Sequence, residues 1–131
     1  MIFLIVLVLL LLMPAVGSGE TVPACTVPIA EDTEFGSIRL GISIDDFNAL
    51  GFRRGDSCDL AFSNGYTLKD IPYYNGYYAR TGALLIVSYP GYEYPVIAYS
   101  NGPAAWKKLG CADDDTITVV RAEAGKYLSV Q

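Results

Sequence analysis

Short apolar segments, most of them closed by a glycine turn, follow one another through the sequence after residue 33. In residues 35–42 apolar side chains alternate with small or charged ones, whereas residues 83–89 (ALLIVSY) are almost continuously apolar. The first pattern is typical of a half-buried strand, and the second is too short for a helix and indicates a central strand. We therefore predict an all-β fold, a small β-barrel or sandwich of about six short strands with two short helices. The other strands are predicted at 57–62, 96–99, 116–122 and 127–130.

The two predicted helices are short and have recognisable ends. Ser43 is suited to cap the first helix, residues 44–50, because its hydroxyl can accept a backbone N–H of the first turn. The second helix covers residues 104–109; it is entered through Pro103 and closed by Gly110. These helices connect strands of the predicted barrel or sandwich.

The N-terminus begins with a hydrophobic run, residues 2–13, which small residues follow. This run predicts a signal peptide over residues 1–19, because a membrane-spanning helix needs about 20 apolar residues. Residues 20–33 contain two prolines and no periodicity, which indicates a tether. Residues 34–131 then form one domain. We expect a secreted or extracytoplasmic protein without a permanent membrane span, with an uncleaved leader as the alternative.

Charge and residue types exclude several classes of function. The net charge is −5 and the pI is about 4.5, whereas nucleic-acid binding needs a basic surface. The sequence contains no histidine, which excludes Ser-His-Asp and Cys-His catalysis and imidazole-ligated metals. A solvated turn explains the acidic run 113–115, and helix capping explains Asp45 and Asp46. We therefore predict no metal site and no catalytic set.

The sequence contains three cysteines, Cys25, Cys58 and Cys111. Thiols outside the cytoplasm tend to pair, and three of them allow one disulfide with one thiol left over. We predict the pair Cys58–Cys111, because Cys58 lies in an early strand and Cys111 just before residues 116–122, and these strands can be barrel neighbours. The other two pairings stay open, and Cys25 is expected to remain free or to pair between chains.

Two segments have the composition of a ligand site. Residues 71–80 (IPYYNGYYAR) place four tyrosines around an Asn-Gly turn, and tyrosine offers a flat apolar face with a hydroxyl group. Residues 100–106 place small residues at a strand-to-helix turn, which lets backbone groups approach a ligand such as an adenine edge. The alternatives are tyrosines that fill the core or shield a sheet edge, and a plain helix entry.

The order of the segments is similar to that of a known family. It runs FGSIRLGI, GDSCDLAFSNGYTLKDIPYYNGYYARTG, LLIVSYPGY, IAYSNGPAAWKKLG and DDTITV. Residues 34–131 resemble the C-terminal domain of the S-adenosylmethionine hydroxide adenosyltransferase family, a domain that the related chlorinases and fluorinase share. The resemblance implies a small β-barrel that packs, in that family, against a larger α/β domain. It also implies that substrate binds where the two domains meet across a trimer interface.

The resemblance implies particular ligand-binding residues. The family's turn whose backbone meets the adenine edge resembles four residues here: Asn101, Gly102, Ala104 and Ala105. Ser88 begins a turn that resembles the family's contact to the methionine carboxylate, and Tyr77 is expected to stack on a ligand nearby. The catalytic and ribose-binding residues of the family lie in its N-terminal domain, which these segments do not match.

We expect a secreted binding or assembly module that takes S-adenosylmethionine or adenosine as its ligand and needs no cofactor. Its expected partners are further copies in a homotrimer or a separate α/β chain that supplies the catalytic half. No turnover is therefore expected from this domain alone. Two alternatives remain: an active S-adenosylmethionine hydrolase-type adenosyltransferase, and an extracellular carbohydrate- or protein-binding domain that uses the tyrosine cluster.

Overall fold

A computed structural model describes residues 21–77 and 81–129 of the chain. These residues form seven strands and two helices. The strands are β1 (Ala24–Asp32), β2 (Ser37–Leu40), β3 (Ser57–Phe62), β4 (Thr67–Tyr74), β5 (Leu84–Val87), β6 (Val96–Tyr99) and β7 (Thr116–Glu123). The helices are α1 (Ile44–Ala49) and α2 (Ala105–Lys108). The predicted signal peptide, residues 1–19, lies outside the described residues.

The seven strands close into a barrel in the order β1-β2-β6-β5-β4-β3-β7, and β7 returns to β1. Neighbouring strands run antiparallel except β4 and β5, which run parallel. Closure pairs every strand on both sides, so that no sheet edge is left among them. The small all-β barrel predicted from the sequence is thereby confirmed, with one strand more than expected.

Alternation of side chains along the strands builds the main core of the barrel, and a second, smaller cluster forms around Tyr74, Leu85, Val87 and Val96. On β3, Cys58, Leu60 and Phe62 are buried while Ala61 between them is exposed. Phe47 of α1 caps this core and stacks on Phe52, with ring centroids 4.1 Å apart. Both rings are fully buried, and burying one large apolar side chain stabilises the fold by about 1.5–3 kcal/mol.

The segment predicted as a tether, residues 20–33, contains β1, so that prediction is wrong for Ala24–Asp32. The sequence pattern did not indicate this strand, because prolines are rare inside strands. Pro28 sits where β1 changes partner, since its pair on β7 is Thr116 and the next residue, Ile29, pairs with Leu40 on β2. Proline donates no hydrogen bond and is tolerated at such a change of partner, where its carbonyl still accepts the Gly41 N–H at 2.8 Å.

Two further boundaries differ from the sequence prediction. Residues 67–74 form β4, which periodicity did not indicate because Pro72 interrupts it. The last predicted strand, 127–130, is a turn through residue 129, and the two residues beyond lie outside the described part. Here Tyr127 N–H donates to the Gly55 carbonyl at 2.7 Å, so the segment packs on the barrel without joining its ladder.

The predicted disulfide between Cys58 and Cys111 is not formed, and all three cysteines are free. Cys111 lies near the far end of β3, because Asn64 donates to the Gly110 carbonyl at 3.1 Å. Cys58 lies four residues before the end of β3 at Phe62, about 13 Å along the strand, which exceeds the Cα separation of a disulfide, about 4.4–6.8 Å. Burial instead raises the pKa of Cys58 to about 12, so its thiol stays protonated inside the core.

A candidate ligand cleft lined by tyrosines

A cleft of about 370 Å³ opens where the β6–α2 connection meets the turn between β1 and β2. We call it the tyrosine cleft. Within residues 21–77 and 81–129, four aromatic residues line it, Phe35, Tyr77, Tyr92 and Tyr99, and no carboxylate does. Its other lining residues are small or polar: Ser37, Ala98, Ser100, Asn101, Gly102, Pro103 and Ala105.

The turn at residues 100–103 gives the cleft its backbone wall. Asn101 has a left-handed backbone with φ of 53°, a conformation that asparagine tolerates better than most residues. A Cβ placed on Gly102 would lie 2.6 Å from the Cβ of Tyr99, so this position needs glycine. The Ser100 carbonyl accepts the Gly82 N–H at 2.6 Å, which fixes the turn against the chain that leads into β5.

Helix α2 is held against the turn between β1 and β2. The Trp106 N–H donates to the Gly36 carbonyl at 2.9 Å. Gly36 has φ of +70°, and a Cβ on it would lie 2.5 Å from the Cβ of Ala104. Ala104 therefore packs on the Gly36 backbone outside the cleft, while its neighbour Ala105 lines the cleft.

The exposed tyrosines form a row that extends out of the cleft. The ring centroids of Tyr77 and Tyr89 are 6.0 Å apart, and those of Tyr89 and Tyr92 are 5.4 Å apart. These three rings are 37–42% exposed. Burial first, and then interactions with Tyr92 that include a hydrogen bond, raise the pKa of Tyr77 to about 12. Its hydroxyl therefore keeps its proton at neutral pH.

The structure brings together four of the six predicted ligand residues: Tyr77, Asn101, Gly102 and Ala105. Ala104 packs against Gly36 instead, and Ser88 lies in a different depression. The sequence reasoning missed Tyr92 and Tyr99 as cleft residues. Tyr92 directly follows the Pro90-Gly91 turn, and that position is a sequence signal for an exposed ring. Tyr99 has no such signal, because it lines the cleft only through the turn at residues 100–103 that follows it. Residues 78–80 of the predicted tyrosine segment lie outside the described residues.

Ser88 lines a second cleft, of about 490 Å³, between α1 and the ends of β4 and β5. We call it the arginine cleft, because Arg53 and Arg54 lie in its wall. Tyr73 donates to Asn48 Oδ1 at 2.7 Å, and its hydroxyl oxygen is 2.5 Å from Ser88 Oγ. Since the Tyr73 proton is used on Asn48, the Ser88 hydroxyl donates to Tyr73 and has no proton left for a ligand.

The chemistry available in the tyrosine cleft is stacking and hydrogen bonding. Its aromatic faces suit a flat ligand, and the turn offers backbone groups and the Asn101 amide. Among residues 21–77 and 81–129, no group of three His, Cys, Asp or Glu side chains is placed to hold a metal ion. Within the same part of the chain, no helix has the length and apolar character needed to cross a membrane.

The fold is a small closed β-barrel with a cleft lined by aromatic residues at its surface. The sequence matches no protein-family model and no curated protein. Among solved structures, it is similar to an uncharacterized conserved protein from Thermotoga maritima, with a TM-score of 0.65 and 20% sequence identity. The match covers 78% of this chain and 39% of that one, so this chain spans well under half of its length. At this identity the likeness establishes the fold alone.

Proposed function

We propose that this chain is a secreted binding module that takes a flat aromatic ligand of the nucleoside type, adenosine or S-adenosylmethionine, in the tyrosine cleft. The observation that carries the proposal is one cleft that is lined both by aromatic residues and by the turn at residues 100–103. Its volume of about 370 Å³ falls in the range of small-molecule sites, about 300–1,000 Å³.

The physical argument has two parts. Stacking of a base on an aromatic side chain is worth about 1–3 kcal/mol in nucleic-acid binders, and the cleft offers such faces from Tyr77, Tyr92 and Tyr99. The adenine edge needs donors and acceptors in its plane, which the backbone around Asn101 and Gly102 can supply at close range because glycine has no side chain. Stacking gives affinity, and the turn gives orientation.

The resemblance to the C-terminal domain of the S-adenosylmethionine hydroxide adenosyltransferases supports the same ligand class. In that family catalysis belongs to the other domain, so we propose that this module acts through assembly, as a homotrimer or with a separate α/β chain. Among the described residues, the lining of the tyrosine cleft holds no carboxylate that would act as a general acid or base. The module alone is therefore expected to leave S-adenosylmethionine unchanged.

Titration calorimetry of the purified chain with adenosine and with S-adenosylmethionine tests the proposal. Asn101→Gly keeps the left-handed backbone accessible and removes only the amide, and Tyr92→Leu removes one ring. Each is expected to weaken adenosine binding about tenfold, or about 1.4 kcal/mol. Tyr66→Leu is the matched control, because Tyr66 is 43% exposed and does not line the cleft. Equal affinity in the parent and both cleft variants would refute the proposal.

The exposed tyrosine row favours a second candidate, a surface that stacks sugar rings. Tyr89 distinguishes the two, since it belongs to the row but does not line the tyrosine cleft. If glycans are the ligands, Tyr89→Ala lowers their binding and Asn101→Gly does not. If a nucleoside is the ligand, the opposite pattern is expected. Parallel titrations with adenosine and simple glycans decide between them.

A further inference from the structure

The arginine cleft gathers positive charge in an acidic protein. The chain has fourteen acidic and nine basic residues, yet Arg53 and Arg54 lie side by side in the wall of this cleft. The Asn75 side chain also lines it, and its amide adds a further donor. Two hydroxyls in the wall, those of Tyr73 and Ser88, are occupied with Asn48 and with each other. The guanidinium N–H groups and the Asn75 amide are among the donors that the wall offers to a ligand.

Neither arginine is neutralised by a carboxylate within the described residues. The ion pairs there join Lys69 to Asp59 and Lys126 to Asp70. Arg53 donates only to backbone carbonyls, those of Asn48 at 2.6 Å and Phe52 at 3.0 Å. Two arginines without a counter-charge give the open cleft a positive potential. This potential attracts anionic ligands.

The nearest acid along the chain, Asp56, is already committed to the backbone. Its Oδ2 accepts the Arg53 N–H at 2.8 Å and its Oδ1 accepts the Gly125 N–H at 2.9 Å. Asp56 is almost fully buried, so this arrangement fixes the loop that carries the arginines. It leaves both guanidinium groups without a carboxylate from their own loop.

Arg54 supplies the observation that points to a ligand. Its Nη1 is buried and has no hydrogen-bond acceptor among the residues described. Buried polar atoms in folded proteins nearly always have a hydrogen-bond partner, so an unpartnered one marks a place where a further group can bind. The cleft beside Arg54 is the place from which a partner can come.

We propose that the arginine cleft binds the oxyanion group of a small ligand, a carboxylate or a phosphate, on Arg53 and Arg54. A guanidinium presents its N–H groups as a planar fork that matches the two oxygens of such a group. Binding turns the Arg54 guanidinium so that Nη1 faces the cleft and gains the acceptor that it lacks. No described residue lines both this site and the tyrosine cleft, and the proposal does not depend on the proposed function.

Nuclear magnetic resonance titration of the purified chain with inorganic phosphate, and separately with acetate, tests the site. The expected result is a saturable shift of the Arg53 and Arg54 resonances, the Arg54 side-chain N–H signals included, that weakens with added salt. The anion that binds more tightly identifies the ligand group as phosphate or carboxylate. No saturable shift with either anion would overturn the proposal.

Three substitutions make the test specific. Arg54→Gln is expected to weaken binding at least about tenfold, and Arg54→Lys to restore part of it, since lysine keeps the charge without the fork. Arg39→Gln is the control, because Arg39 lies over the Tyr94 ring at 5.5 Å, away from this cleft, and carries the same charge. If Arg39→Gln weakens binding as much as Arg54→Gln, the effect is general electrostatics and the site is refuted. The melting temperatures of all three variants distinguish a loss of binding from a loss of fold.

Discussion

The two clefts of this barrel are built in opposite ways. The tyrosine cleft is formed by turns and partly exposed rings, and two of its tyrosines, Tyr77 and Tyr92, both pack against Tyr89 outside it. The arginine cleft is backed by the core, because Phe52, Tyr73 and Ser88 in its wall are all buried. A substitution in the first cleft is therefore expected to alter binding with little change in stability, whereas one at these three buried wall residues of the second is expected to lower stability. Residues on turns tolerate change better than buried core residues do.

The largest effect is expected for Phe52→Ala. Phe52 is fully buried and stacks on Phe47, so its removal leaves a cavity that costs about 3–5 kcal/mol of unfolding free energy. Tyr92→Ala in the tyrosine cleft is the counterpart and is expected to cost less than about 1 kcal/mol. Urea denaturation measures both. Similar losses in the two variants would show that the clefts do not differ as described.

Gly36→Ala is expected to have the next largest effect, because it affects both the barrel and the tyrosine cleft. The new Cβ meets Ala104 at 2.5 Å while φ is +70°, and we expect a loss of about 2–3 kcal/mol from clash and strain together. Gly82→Ala is the matched control, since its φ is +86° and nothing lies within 4 Å of the added Cβ. It is expected to cost only the conformational part, about 1 kcal/mol.

A loss of adenosine affinity in Gly36→Ala, with affinity kept in Gly82→Ala, would tie the position of α2 to the ligand turn. Denaturation and calorimetry on the same two samples give both quantities. If the two variants lose equal stability, the contact between Gly36 and Ala104 is not tight and the wall of the cleft is more adaptable than its geometry indicates.

Tyr73→Phe tests the hydrogen-bonded side of the arginine cleft. It removes one hydroxyl and leaves Ser88 and Asn48 without the partner at 2.5 and 2.7 Å. Leaving such groups unsatisfied is expected to cost about 1–3 kcal/mol. Tyr66→Phe, at an exposed position, should be neutral within about 0.5 kcal/mol. Thermal denaturation of both variants is the measurement, and a neutral Tyr73→Phe would show that water replaces the hydroxyl.

The smallest effect on stability is expected in the C-terminal turn. This turn supports the arginine cleft, because Tyr127 packs against Tyr74 in the wall of that cleft, with ring centroids 6.4 Å apart. Hydrogen bonds from Tyr127, Ser57 and Lys126 lower the pKa of Asp70 below 3.8. A carboxyl with a lowered pKa stabilises the folded state above its unfolded pKa, and this contribution is lost as the pH falls through the folded one. Stability should therefore decline below about pH 4.

Asp70→Asn removes the charge and keeps the backbone, because asparagine tolerates the φ of 60° found there. The variant is expected to be slightly less stable at neutral pH and to lose less stability in acid than the parent. Melting temperatures across pH 2–7 and amide exchange at Tyr127 measure the effect. An identical acid decline in both proteins would assign it to other carboxyls.

Local signals made part of this structure predictable from sequence. The sequence predicts Ser57–Phe62 and Val96–Tyr99 at their observed bounds, since each is a short, mostly apolar segment bounded by turn residues. The Ser43 cap was also correct, with its Oγ accepting the Asp46 N–H at 3.0 Å. These features depend only on residues near one another in the chain.

Features that depend on distant residues were missed. Strands β1 and β4 contain prolines that are tolerated only because of where their partner strands begin and end. The same holds for the sites. The Asn101 turn could be read locally, whereas the approach of Tyr92 to it, and of Ser88 to the arginines, follows from closure of the barrel.

Strand β1 closes the barrel, because it pairs with β7 along its first half and with β2 along its second half. The Thr26 and Thr118 hydroxyls that meet across this junction, 2.8 Å apart, are 92 residues apart in sequence. The barrel cannot close before β7 has been synthesised, because β7 pairs with β1. Such non-local pairing makes folding slow, so the edge of β1 that faces β7 stays unpaired until β7 is available.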